Sequence, residues 1–233
     1  MRCIQNYDDF LTELLDCGFT LAGGSDKGVF SLLPWAWDEQ PPYPTPVKWH
    51  TDDPVTDPWQ WRIRVLTQRD DIAYAKVFCR VAGYITRRWY PFFLAVRRQG
   101  RSFDDFYQDG LMSQAAKRIY TLVAQNGPMA LHAIKEQGGF TRDEKSAFDR
   151  SIVDLQMAMF LTICGQTQKT DRFGKPYGWN STVLCTTEQF FDEAVFLQAQ
   201  RLSAIEAREA ICGQIHKLNP NATPKAIERF LNR

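Results

Sequence analysis

The first part of the chain alternates between short apolar segments and turns rich in glycine and proline. Apolar residues at helical spacing predict a helix over residues 6–17. A helix is also predicted over residues 91–98, with a proline in its first turn and Gly100 just past its end. Alternation of apolar and polar residues predicts strands over residues 28–33 and 61–66, and a β-hairpin over residues 72–86 that turns near Gly83.

Residues 34–61 interrupt this pattern with an unusual density of proline and tryptophan. The segment holds seven of the twelve prolines and five of the seven tryptophans. Proline disfavours helix interiors and central strands, so we expect largely irregular structure here. Because a buried tryptophan contributes a large apolar area, packing over the core is the favoured role for these rings. A ligand groove lined by them is the alternative.

Residues 113–192 form the most readable unit, with three helical segments followed by two strand candidates. The predicted elements are helices over residues 113–125, 131–136 and 141–157 and strands over residues 160–164 and 181–185. Thr141 and Glu144 have the spacing of a capping box at the start of the third helix. This order is that of a winged helix-turn-helix, in which the third helix is placed for the major groove of DNA. The polar loop at residues 166–178 would reach a neighbouring groove or the backbone.

The chain is therefore expected to be an α+β protein in three parts. We predict an N-terminal Trp/Pro-rich α+β subdomain over residues 1–112, a winged-helix core over residues 113–192 and C-terminal helices over residues 193–233. Capping signals at Thr186, Ser203 and Thr223 predict the helices that follow the hairpin, and the first of these helices is expected to run to about residue 198. The length of 233 residues suits one large domain or two small ones.

Charge is distributed unevenly along the chain, although the net charge is only +1. Residues 1–60 hold ten acids and three bases, whereas residues 61–233 hold seventeen acids and twenty-five bases. Residues 80–101 contain six arginines and no acid. A basic face of this kind is typical of proteins that bind polyanions. Arginines at helix ends, or paired with the acidic N-terminal part, would give the same composition.

This distribution predicts binding of duplex DNA. The expected contacts come from the arginine-rich tract, the third helix and the hairpin loop, and they are Arg87, Arg88, Arg97, Arg98, Arg101, Arg142, Lys145, Arg150, Lys169, Arg172 and Lys175. The hairpin loop carries three of these bases against Asp171, whereas the third helix has more acids than bases. Since phosphate neutralisation supplies much of the affinity for DNA, the hairpin loop and the arginine-rich tract are better suited to that role.

Three features of the chain resemble bacterial AlkZ-related proteins, which are distant cousins of the AlkZ/YcaQ winged-helix DNA glycosylases. They are the element order of residues 113–192, the tract WHTDDPVTDPWQWR at residues 49–62 and the tract YPFFLAVRR at residues 90–98. The resemblance implies tandem winged-helix units that grip duplex DNA and, in true glycosylases, excision of alkylated bases or crosslinks.

The catalytic signature of those glycosylases has two polar residues that flank an apolar one in the N-terminal part. Here Gln198-Ala199-Gln200 has this pattern near the C-terminus, and residues 166–168 have it with a polar central residue. Neither position matches the family's, so no catalytic role is carried over to these glutamines.

Candidate catalytic groups lie in the Trp-rich segment. They are His50, Asp53 and Asp57, where a carboxylate as base beside aromatic rings would suit a glycosylase-like reaction. Asp-Pro pairs are also common at the start of turns, and this structural role is the favoured one for these aspartates. The three histidines are scattered, the six cysteines form no CxxC pair, and no nucleotide-binding motif occurs, so we predict neither a metal nor a cofactor.

Apolar runs reach only eight residues, and acids interrupt the N-terminal segment. We therefore expect no transmembrane helix, no signal peptide, no membrane partner, and a cytoplasmic location with reduced thiols. Three functions remain open. The first is duplex DNA binding linked to DNA repair without established catalysis, the second is a DNA glycosylase-like enzyme acting on alkylated bases, and the third is a protein-interaction module.

Overall fold

A computed structural model of the protein describes residues 3–170, 173 and 175–232. These residues form eleven helices and six strands. In chain order they are α1 (Tyr7–Cys17), β1 (Phe19–Leu21), α2 (Pro58–Gln68), β2 (Ile72–Phe78), β3 (Val81–Thr86), α3 (Tyr90–Arg97), α4 (Phe103–Gln108), α5 (Gln114–Asn126), β4 (Met129–Ala130), α6 (Leu131–Gln137), α7 (Lys145–Met157), β5 (Leu161–Thr170), β6 (Pro176–Thr186), α8 (Thr187–Phe190), α9 (Glu193–Gln200), α10 (Ala204–Leu218) and α11 (Pro224–Leu231).

The six strands pair in one antiparallel sheet with the order β1-β3-β2-β5-β6-β4. Strand β2 joins the N-terminal strands to the later hairpin, through the pairing of Tyr74 with Ile163. The protein is therefore a mixed α and β structure, and the sheet continues from the N-terminal region into the hairpin. The predicted helices at residues 6–17 and 91–98 are confirmed by α1 and α3.

Two hydrophobic clusters pack around this sheet. The first contains residues of α1, α2, α3, strands β1–β3 and the C-terminal helices, including Trp61 and Phe230. The second contains residues of α4–α7 and the start of the hairpin, including Leu155 and Phe160. Ile163 of β5 packs against both clusters. The strand that carries Ile163 thus links the two cores.

Residues 61–66 are helical, so the predicted strand is wrong. Asp57 is the N-cap of α2, and Pro58 occupies the first helical position, where its missing N–H costs nothing. Trp61 and Val65, one helical turn apart, are both buried. Two buried residues four positions apart fit both a helix and a short alternating strand. The N-cap at Asp57 favours the helix.

The predicted strand at residues 28–33 is also absent from this part of the chain. Residue Ser31 forms one isolated bridge with Leu21, and the surrounding residues are turns and bends. Pro34 follows directly, and a proline has no backbone N–H to donate to a longer strand pairing.

The β2–β3 hairpin turns at Cys79 and Arg80 rather than at Gly83. Both turn residues have positive φ, at 50° and 66°, as a tight two-residue hairpin requires. Gly83 instead lies in β3, where a Cβ atom would stand 2.3 Å from the ring of Phe78. The glycine is needed for close packing, and the turn is made without it.

Helix α7 begins at Lys145, and the predicted capping box at its start forms only in part. Glu144 accepts a hydrogen bond from the Thr141 N–H at 3.0 Å, but the Thr141 hydroxyl donates to that same carboxylate and caps no helical amide. Arg118 of α5 also binds Glu144, at 2.6 Å, and contacts the carbonyl of Gly138. The Thr141 hydrogen bond and then Arg118 lower the pKa of Glu144. Helix α5 therefore fixes the turn between α6 and α7.

Two capping boxes after the hairpin are confirmed, at Thr186–Gln189 and Ser203–Glu206. The helix predicted to run from residue 187 to 198 is interrupted, because Phe191 is extended and buried against the first cluster. Asp192 then caps the separate helix α9 by accepting a hydrogen bond from the Ala194 N–H.

At the end of α3, Arg97 is buried, with 3% of its surface exposed. Its guanidinium donates hydrogen bonds of 2.5 to 3.2 Å to four backbone carbonyls, which belong to Val77, Met157, Phe230 and Leu231. Burial lowers the pKa of Arg97 to about 10, so the group stays charged at neutral pH. One side chain thereby joins α3 to β2, to the end of α7 and to α11.

Arg98 makes a second set of contacts at the same junction. It pairs with Glu188 at 2.6 Å, donates to the hydroxyl of Thr187 at 2.8 Å and contacts the carbonyl of Met159. Its guanidinium lies 4.2 Å from the ring centroid of Phe160. The expectation that Arg97 and Arg98 contact DNA is therefore wrong, because both guanidinium groups are occupied inside the protein.

We expect Arg97→Ala to lower the free energy of unfolding by at least about 3 kcal/mol, because four buried carbonyls would lose a charged donor. Urea unfolding followed by circular dichroism measures this. Arg88→Ala is the matched control, since Arg88 belongs to the same tract but is exposed, and its effect should stay within about 0.5 kcal/mol. Equal effects of the two substitutions would contradict the role assigned to Arg97.

Candidate nucleic-acid interface

The rest of the arginine-rich tract is largely engaged in ion pairs. Arg87 pairs with Asp192 at 2.5 Å, and this hydrogen bond lowers the pKa of that carboxyl. Arg101 pairs with Asp109, while Arg88 is exposed. Together with the burial of the two arginines that end α3, these pairs leave little of the tract's charge available to a polyanion.

The three bases expected on the third helix are exposed, although Arg142 precedes the start of α7 at Lys145, and acids lie beside them. Arg142, Lys145 and Arg150 lie on the surface, and so do the neighbouring acids Asp143 and Asp149. The surface of this helix is thus mixed in charge, as the composition of the segment indicates. Their contact with DNA stays a prediction.

The β5–β6 hairpin extends beyond the packed body of the protein. Its strands have ten and eleven residues, and the described residues between 166 and 180 are exposed except for the half-buried Lys169. Three aromatic side chains are exposed here, namely Phe173, Tyr177 and Trp179. Lys175 is exposed as well, whereas Arg172 lies outside the described residues. The predicted loop at residues 166–178 is therefore mostly paired strand.

A bulge changes the register in the outer part of this hairpin. Thr167 pairs with Ser181, and Lys169 pairs with Tyr177, so Gln168 alone faces three residues of β6. Bulges of this kind bend a strand and redirect side chains, and they are frequent beside functional sites.

The bulge exposes the side chain of Trp179. The amide nitrogen of Gln168 donates to the carbonyls of Tyr177, at 3.1 Å, and Gly178, at 3.0 Å. Gly178 has a φ of 64°, which glycine adopts without strain. Residue Trp179 follows directly and is 91% exposed. The local backbone is thus held in place while a large ring is presented to solvent.

A groove with a volume of about 480 Å³ separates the hairpin from α2. Its lining combines aromatic rings, primary amides and charged groups, and these are Asp52, Trp59, Gln60, Arg62, Ile63, Gln166, Gln168, Gly178, Trp179 and Asn180. The volume lies in the range of about 300–1,000 Å³ that is usual for small-ligand sites. We call this feature the α2–hairpin groove.

The wall of the groove on the α2 side is ordered by contacts among its own residues. The guanidinium of Arg62 lies 3.5 Å from the ring centroid of Trp59 and donates to its backbone carbonyl at 2.9 Å. The side-chain amide of Gln60 donates to Asp52 at 3.0 Å. Ring, amide and guanidinium are therefore held on one rigid helix.

Asp57, a candidate catalytic base, is a structural cap. It is fully buried, and its carboxylate accepts hydrogen bonds from the backbone N–H groups of His50, Thr51, Asp52 and Trp59, at 2.8 to 3.0 Å. With four donors on its two oxygens, this group is occupied and shielded from any substrate. It folds the preceding loop against α2 and fixes the backbone at Trp59.

The other two catalytic candidates belong to the same turn. Asp53 accepts hydrogen bonds from the Thr56 hydroxyl, at 2.5 Å, and the Val55 N–H, at 3.0 Å, and these lower its pKa. The ring of His50 is exposed and lies 5.0 Å from that of Trp59. The Asp-Pro pairs thus act as turn starters, which is the structural role that the sequence also allowed.

The tryptophans of residues 34–61 divide between the two roles considered for them. Trp35 and Trp61 are buried in the first cluster, and Trp49 is half-buried against it. Trp37 and Trp59 are exposed. The signal in the sequence that points to the groove is the pair Gln166 and Gln168, whose spacing places both side chains on one face of a strand, whereas the polar composition of the segment predicts a loop.

The described residues lack two further features. In that part of the chain, no three or more His, Cys, Asp or Glu side chains are grouped so that they could hold a metal ion. Among the same residues, no helix has the length and apolar character that crossing a membrane requires.

We expect Asp57→Ala to lower the free energy of unfolding by about 2–4 kcal/mol, because four backbone donors would lose their acceptor. Thermal unfolding followed by circular dichroism measures the change. Asp38→Ala removes an exposed acid from the same irregular segment, and it should change stability by no more than about 0.5 kcal/mol. A stable Asp57→Ala protein would show that the loop does not depend on this cap.

Comparison with known proteins gives one match. Searches of curated proteins and of solved structures found nothing similar to the chain. The sequence model of the family described as "AlkZ related" matches residues 4–232, which is nearly the whole chain. This extent of match confirms the resemblance seen in the sequence and associates the chain with DNA repair. The chain belongs to the AlkZ-related family.

Proposed function

We propose that this protein binds duplex DNA through its β5–β6 hairpin, as the wing of a winged-helix unit formed by residues 113–192, and that it acts in DNA repair. The observation that carries the proposal is the hairpin itself, which extends from the body and exposes aromatic rings together with Lys175. In this proposal residues 1–112 and 193–233 support the unit on either side.

The arrangement of secondary structure supports a winged-helix unit. Helices α5, α6 and α7 precede the hairpin, and the short strand β4 pairs with β6 through Met129 and Leu184. The turn between α6 and α7 is fixed by Arg118, as a helix-turn-helix needs. In such units one helix and the adjoining hairpin approach the duplex together.

The chemistry of the hairpin suits both parts of a DNA surface. Lys169, Arg172 and Lys175 oppose a single acid in its sequence, so they favour phosphates. Exposed rings such as Phe173 and Tyr177 suit the floor of a minor groove or an opened base step. Helix α7 has a mixed surface, and we assign it a secondary share of the phosphate contacts.

Binding should depend strongly on salt, and the hairpin should account for much of that dependence. We expect a labelled duplex to bind at low salt and dissociate as salt rises, as measured by fluorescence anisotropy. The triple substitution Lys169→Ala, Arg172→Ala and Lys175→Ala should reduce the slope of log Kd against log salt by about 2 to 3, since each phosphate contact contributes about 0.9.

The matched control removes three exposed bases from the C-terminal helices and their connection, namely Arg201, Lys217 and Lys225. Replacing these three by alanine should leave the slope unchanged. Equal losses in the two triple variants would mean that net charge, and not the hairpin, determines binding. Failure of any duplex to bind at low salt would overturn the proposal and favour a protein partner for the exposed rings.

Catalysis is not part of this proposal. The carboxylates of Asp53 and Asp57 are engaged in the turn before α2, so they do not serve as a general base there. Duplexes with alkylated bases should be bound without cleavage after alkali. Strand breakage at such a lesion would show that the protein is an enzyme.

A further inference from the structure

The α2–hairpin groove has aromatic rings on both of its walls. Trp59 of α2 is 42% exposed, and Trp179 of β6 is 91% exposed. An exposed tryptophan in a recessed site offers a flat face for another planar group. Stacking of nucleobases on such rings is favourable and tolerant of sequence, because every base has a π face.

Primary amides stand beside these rings. Gln166 and Asn180 line the groove, and within the described residues neither side chain has a hydrogen bond to another group of the chain. A primary amide both donates and accepts, which matches the mixed donor and acceptor pattern along the edge of a base. Gln168 differs, because its nitrogen is committed to the backbone of the bulge.

The α2 side of the groove carries one cation, Arg62, and one carboxylate, Asp52, which already accepts a hydrogen bond from the Gln60 amide. Arg62 stacks on Trp59 and is half-buried there, so its position is fixed before any ligand arrives. A guanidinium in this place suits the phosphate attached to a bound nucleotide. Lys169 lies on the β5–β6 hairpin, which forms the opposite wall of the groove and which contacts the duplex in the proposed function.

From these groups we infer that the α2–hairpin groove binds one unpaired nucleobase of the DNA that the hairpin holds. A base inside a paired duplex is stacked on both faces and cannot reach the groove, whereas an extruded or unpaired base can. The base would stack on the two indoles while the free amides contact its edge. This inference rests on the proposed function and adds to it the preferred substrate, a duplex with an unpaired base.

The test compares two labelled duplexes that have identical flanking sequences, one fully paired and one with a single extra, unpaired base. At one fixed salt concentration, anisotropy should show about tenfold tighter binding of the second duplex, the size of effect expected for one stacked base. Trp179→Ala should abolish this preference and change the affinity for the paired duplex by at most about threefold. The double variant Gln166→Ala and Asn180→Ala should reduce the preference in the same way.

Trp37→Ala is the control, because Trp37 is a similarly exposed tryptophan that does not line the groove. It should keep the preference, and circular dichroism should show that each variant is folded. Equal affinity of the unmodified protein for the two duplexes would overturn the inference and leave the proposed function standing. Loss of the preference in Trp37→Ala as well would place the effect outside the groove. Absence of binding to both duplexes at low salt would instead overturn the proposed function.

Discussion

The structure depends on a buried cation at the point where the two hydrophobic clusters meet. Arg97 donates to four buried carbonyls, which belong to a strand, the end of α7 and the end of α11. Arg98 contacts the carbonyl of Met159 just beyond, so positive charge lies where the dipole of α7 is negative. Burial of such a charge is costly, and the protein tolerates it because every carbonyl contact replaces a lost contact with water. The C-terminal helices and the sheet are consequently held in one body.

Polar side chains that bind several backbone groups at once also order the α2–hairpin groove. The carboxylate of Asp57 accepts hydrogen bonds from four backbone N–H groups. These bonds make the loop rigid and fix Trp59 at its end. Strand β5 pairs with β2 at Tyr74–Ile163, and this pairing brings the hairpin beside α2. Neither wall alone would form a site. The groove exists because a capped helix and a bulged hairpin are placed on one sheet.

The arginine-rich tract shows how composition and surface charge can differ. Six arginines without an acid in twenty-two residues predict a basic face, yet several of them are satisfied by partners far away in sequence. Arg87 forms an ion pair with Asp192, and Arg98 forms one with Glu188. Both acids lie in the segment after the hairpin. A run of basic residues in a sequence therefore indicates a surface that binds polyanions only when no acids from other parts of the chain pair with those bases.

The sequence by itself determined the elements whose signals are local. Helices α1, α3, α5, α10 and α11 follow from apolar spacing and from caps such as Ser113 and Ser203, because these contacts lie within a few residues of each other. Tertiary structure decided the position of the turn at Cys79, the length of the hairpin and the burial of Arg97. It alone brought Trp59 and Trp179 to one groove. Such outcomes depend on which distant groups share a buried space, and no local pattern carries that information.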